Sequence, residues 1–122
     1  MDAYVINLGI DFEITTFKNN SNQIVLLDCI EELKKYFNIE KWQINQPIIE
    51  SEIYNLIGNV KGVQSVISVT FKNLAGIEKG YSQYKYDFST ATKNGIIYPS
   101  LDPSIFEVKN LNSDIKGNIK QY

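Results

Sequence analysis

Six apolar residues, Tyr4, Ile6, Leu8, Ile10, Phe12 and Ile14, occupy every second position near the start of the chain, with Asn7, Asp11, Glu13 and Thr15 between them. A period of two is the signature of a strand with one buried face and one wet face. Such a strand cannot stand alone. It demands neighbours to take its hydrogen bonds and a second layer to cover its apolar stripe, and the rest of the chain must supply both.

The cluster Asn19-Asn20-Ser21-Asn22 offers a turn and helix N-caps. After it, Leu26, Ile30, Leu33 and Phe37 recur at helical spacing, and Asp28, Glu31, Glu32, Lys34 and Lys35 fall largely on the opposite side. Trp42, just beyond, is expected to close the edge of the core. Pro47 suits the first turn of a second helix, whose apolar face is Ile49, Ile53, Leu56, Ile57 and Val60 and which stops near Gly58 to Gly62. Val63 to Phe71 is dense in β-branched residues and predicts a strand with Ile67, Val69 and Phe71 on one face. The order strand, helix, helix, strand predicts an α+β fold, a two-layer α/β sandwich built from residues 1–73.

Residues 74–122 read as an extension on or beside that core, within one structural domain. Tyr84, Tyr86 and Phe88 alternate as a strand, and Asn94-Gly95 marks a tight hairpin turn. Pro99 and Pro103 bracket Leu101 and Asp102, a short strand covers Ile105 to Val108, and a polar tail contains Asp114 to Gly117. The hydrophobic fraction of 43% over 122 residues supports a folded core without a metal or disulfide staple.

Charge and composition restrict the chemistry. A net charge of −2 provides no basic footprint for nucleic acid, and all 12 basic residues are lysine, so the bidentate guanidinium fork is missing. With His 0, the usual general base near neutral pH and the commonest metal ligand are absent. Cys29 lies in an apolar helical pattern and reads as a small buried hydrophobe in a protein of a reducing compartment. No run approaches the ~20 apolar residues of a membrane span. Asp102, Glu107 and Asp114 are the only carboxylate grouping that suggests hydrolysis or a hard-cation site, and Asp102 between Leu101 and Pro103 reads better as turn chemistry. "GIEKG" at Gly76 to Gly80 lacks the ending of a phosphate loop. No catalytic, cofactor-binding or metal-binding residue is assigned. The candidates for protein contact are Tyr81, Tyr84, Tyr86, Tyr98, Pro99, Leu101, Asp102 and Pro103, because tyrosine buries area while its hydroxyl finds a partner, and proline pre-sets the backbone.

Three stretches carry a resemblance. "VLLDCIEELKKYFN" and "INQPIIESEIYNLIGNVKGVQSV" are similar to the helix, second helix and Gly-Val strand entry of the baseplate J-like family. "ATKNGIIYPSLDPSIFEVKNLNSDIKGNI" resembles the closing segment of baseplate wedge proteins from contractile-tailed phages of the T4 type. Together they span most of residues 4–119, whereas wedge proteins of this type are several times longer. The resemblance implies a non-enzymatic structural role in the virion tail, assembled in the host cytoplasm. It implies association with further copies of the chain and with other wedge subunits; no cofactor, nucleic-acid or membrane partner is expected. A small ligand-binding or regulatory α/β domain is the alternative, followed by a carboxylate-dependent hydrolase.

Overall fold

The computed structural model describes residues 4–18, 20–38, 40–99 and 103–120. The alternating stretch forms one long strand, β1 (Tyr4–Thr16), whose even positions from Ile6 to Ile14 are at most 2% exposed. Helix α1 (Asn22–Tyr36) starts at Ser21, whose hydroxyl accepts from the Ile24 N–H. A two-residue strand β2 (Ile48–Ile49) leads into α2 (Glu50–Gly58), and β3 (Val63–Asn73) runs back antiparallel to β1. The α+β class is as the residue pattern implies, with the short β2 interposed between the two helices.

The apolar seam of α1 is Val25, Cys29, Leu33 and the capping Phe37, all at most 3% exposed, with Leu26 and Ile30 only partly buried beside it. Trp42 stacks on Phe37 at 5.2 Å and seals the edge of this layer. In α2 the seam is Ile53 and Ile57. The helix α1 packs towards the C-terminal side of the sheet and α2 towards β3, and both cover the even face of β1.

Pro47 does not open the second helix. Ile48 and Ile49 are extended because they pair with a later strand, β5 (Ile96–Ile97), and the carbonyl of Gly95 takes the Glu50 N–H that a side-chain cap would otherwise satisfy. In β3 the register shifts between Glu13, opposite Ser68, and Ile14, opposite Val66, so Ile67 has no residue across from it. The bulge transfers the core-facing role from Ile67 to Val66.

The second half departs furthest from its sequence pattern. Tyr84 and Tyr86 lie in irregular chain, and Phe88 opens a one-turn helix, α3 (Phe88–Ala91), capped by the Asp87 carboxylate on the Ser89 and Thr90 N–H groups. Their alternation reflects ring packing, since Tyr86 meets both Phe88 and Phe106 edge-on. The strands β4 (Thr92–Lys93) and β5 form a hairpin whose turn residues, Asn94 and Gly95, both have positive φ (54° and 77°), as a primed two-residue turn requires. Two further strands, β6 (Ser104–Glu107) and β7 (Ile115–Ile119), both pair parallel with β1, β6 beside Tyr4 to Asn7 and β7 beside Ile10 to Ile14. The Tyr4 and Ile10 N–H groups point to this side, donating to Pro103 and Asp114 carbonyls, while the Asn7 carbonyl points to the β3 side. The sheet therefore has β1 at its centre, β3 along one edge, and β6 then β7 end to end along the other. The supposed polar tail is a structural strand.

Gly117 shows how tightly β7 is fitted. It sits opposite Phe12, and a Cβ on it would lie 2.3 Å from that ring.

Candidate interaction surface

Polar and aromatic side chains from distant parts of the chain meet around the first residues of β1. Asn7, on the wet side of the strand, is nevertheless 1% exposed. Its Nδ2 donates to Glu107 Oε1 at 2.8 Å, its Oδ1 accepts from the Ser82 N–H at 2.7 Å, and its carbonyl accepts from Leu74 N–H and Asn73 Nδ2. Every group is used, which is what burial of an amide demands. Asn7 thus holds the 74–86 segment over the end of the sheet.

That segment presents the tyrosines. Tyr81 turns inward: its hydroxyl donates to Asp114 Oδ1 at 2.8 Å, and this hydrogen bond, followed by burial, raises its pKa. Tyr84 stacks on Tyr4 with ring centroids 5.0 Å apart, and Tyr4 is 51% exposed. Tyr86 is partly buried, its hydroxyl donates to the Tyr98 carbonyl, and desolvation, with Tyr84 as a lesser cause, raises its pKa. The Tyr98 ring is 45% exposed and Pro99 follows it, half-buried. The carbonyl of Pro103 receives the Tyr4 N–H at 2.8 Å. Leu101 and Asp102 lie outside the described residues. Of the sequence candidates, Tyr84 and Pro103 thus meet at Tyr4, and the Tyr86 hydroxyl meets the Tyr98 carbonyl, whereas Tyr81 is committed to an internal bond.

Below this cluster is a shallow, open depression lined by Lys85, Asp87, Thr90, Lys93, Tyr98 and Asn45. Hydrogen bonds from the Ser89 hydroxyl and the Ser89 and Thr90 N–H groups hold the Asp87 carboxyl below its usual range.

The carboxylates have structural partners. Glu107 accepts from Asn7, and Asp114 accepts from Tyr81 and from the Asn110 N–H. Among the described residues no group of three or more His, Cys, Asp or Glu side chains could hold a metal ion. Cys29 is 0% exposed, and burial, with Asp28 adding to it, pushes its pKa up to about 11. A buried thiol held protonated is a poor nucleophile.

Sequence reasoning overlooked Tyr4 and Asn7 because both sit in a stretch whose alternation already had an explanation. Asn7 carries one signal: an amide is a poor strand residue, and one inside an otherwise strong strand invites a search for its partners. No family model and no curated protein matches the chain.

Proposed function

We propose that this chain is a structural subunit or domain of a contractile phage tail baseplate wedge, acting through subunit-subunit contacts and not through catalysis. The observation that carries this reading is the Tyr4–Tyr84 ring stack beside Pro103, with Tyr98 and Pro99 tied to the same 74–86 segment through the Tyr86 hydroxyl and with Tyr4 and Tyr98 each about half exposed. Stacked rings and prolines lose little conformational freedom when a partner covers them, so buried area converts efficiently into binding. The same cluster is formed in part by the closing segment that resembles the wedge proteins, which links the resemblance to a surface.

The test is solution mass by light scattering, for the chain alone and mixed with the other wedge subunits of the same genome. A mixed complex that Tyr98→Ala or Tyr84→Ala weakens, with thermal unfolding little changed for Tyr98→Ala, is the expected result. A chain that remains monomeric and ignores every wedge subunit would overturn the proposal. The alternative, a small ligand-binding or regulatory domain, draws on the open depression with Lys85 and Lys93 in its lining.

A further inference from the structure

The outer edge of β3 is the second conspicuous surface. Lys72, Thr70 and Ser68 stand opposite Gly9, Asp11 and Glu13 of β1, and the pair before them in the ladder bonds through Leu74 N–H and the Asn7 carbonyl. In an antiparallel ladder the bonded positions alternate, so Thr70 turns its backbone groups to β1 while Val69 and Phe71 turn theirs outward. Consistent with this, the Val69 N–H donates to the Tyr54 hydroxyl at 3.2 Å. Among the described residues no other group takes the outward N–H or carbonyl groups of Val69 and Phe71.

Three further features single this edge out. From Val63 to Phe71 the strand has no charged residue, although charge and proline are the usual devices that keep an edge from pairing. Its core-side residues Val66, Val69 and Phe71 are only half-buried, whereas their neighbours on β1 are at most 2% exposed, so the apolar layer is unfinished here. Finally, the segment is complementary to itself. With a two-fold axis at Thr70, Val69 faces the partner's Phe71, Thr70 faces the partner's Thr70, and Lys72 faces the partner's Ser68. Aromatic with β-branched and Thr with Thr are favourable cross-strand pairs, and no like charges oppose.

We propose that two copies of this chain join β3 to β3 antiparallel about Thr70, merging their sheets, with Tyr54 as the guard that must release Val69. The dimer forms hydrogen bonds between Val69 and the partner's Phe71 in both directions, and it extends the half-covered apolar layer across the axis. This deepens the assembly reading and rests on it for the reason to self-associate.

Thr70 provides the test, because it is exposed on the wet face of the sheet and its replacement leaves the core untouched. Across the axis it forms a non-bonded pair, whose ~4.5 Å Cα separation suits a disulfide. In the full chain, Thr70→Cys should cross-link under mild oxidation faster than Ser68→Cys, which faces the partner's Lys72. Cys29, being buried, does not compete. Thr70→Lys should abolish the dimer in sedimentation while the circular dichroism spectrum is retained, and Tyr54→Phe should tighten it by about tenfold, since two competing hydrogen bonds are removed. Equal cross-linking of Thr70→Cys and Ser68→Cys, or a dimer insensitive to Thr70→Lys, would overturn the inference. A chain that fails these tests yet binds other wedge subunits loses the β3 dimer and keeps the assembly reading. One that passes them and ignores those subunits keeps the dimer and loses the baseplate.

Discussion

Replacing Gly117 by alanine tests the least obvious part of the architecture. The new Cβ would sit 2.3, 2.6 and 2.8 Å from three atoms of the Phe12 ring, closer than real carbon contacts allow. Phe12 is 2% exposed in the centre of the sheet's buried face, so its ring cannot swing into solvent. Overpacking of this kind costs about 1–3 kcal/mol. Alanine also stiffens the unfolded chain, which returns about 0.4–1 kcal/mol, so a net loss near 1–2 kcal/mol is expected. Phe12→Ala alone should cost about 3–5 kcal/mol. In that background the obstruction is gone, and Gly117→Ala should become neutral or stabilising by about 0.5 kcal/mol. Urea unfolding of the four proteins closes the cycle, with equal slopes as the check that the unfolded states are comparable. The coupling should be near 2 kcal/mol. If Gly117→Ala has the same effect in both backgrounds to within about 0.5 kcal/mol, β7 does not lie against Phe12 and the parallel pairing at the C-terminal edge is wrong.

Two other expectations concern the helical layer. Phe37→Ala removes a ring that is 3% exposed and stacked on Trp42, and should cost about 3–5 kcal/mol in the same assay; a loss below about 1 kcal/mol would mean that the aromatic edge is not part of the core. Cys29 ties stability to alkaline pH: its folded pKa of about 11 exceeds the reference 9.0, so the unfolded chain loses the proton first. The thiol's contribution is therefore complete below pH 9 and is lost as pH rises towards 11, a fall of about 2–3 kcal/mol that Cys29→Ala should remove from the stability–pH profile.

Local rules were legible and long-range ones were not. The alternation of β1, the capping serine at 21, the seam residue Leu33 and the Asn94-Gly95 turn each depend on neighbours within a few positions, so a short window suffices to read them. The position of α2 was misread because Pro47 is compatible with a helix start, and the decisive fact, the pairing of Ile48 with Ile97, involves a strand far along the chain. The segment 115–119 carries Lys116, Gly117 and Asn118 between two isoleucines and has little strand character of its own; it becomes a strand because β1 provides a ladder and the Phe12 ring fills the space of the missing side chain. Tyr84 and Tyr86 alternate for a reason unrelated to a sheet, namely that one ring meets Tyr4 and the other Phe106. The candidate surface was partly visible as a density of tyrosine and proline, whereas Asn7 signals only an ill-suited strand residue, and its partner Ser82 lies 75 residues along the chain.

The central position of β1 determines when this molecule can fold. It leaves the ribosome before its own partners, which are Val63–Asn73, Ser104–Glu107 and Ile115–Ile119. Its apolar stripe must wait, bare, until about a hundred further residues, through β7, have been translated. Contacts of such long sequence separation slow folding, and an unpaired apolar strand is the kind of segment that chaperones hold and that aggregates capture. Synthesis rate and temperature in the producing cell therefore bear directly on how much of this protein reaches its native state.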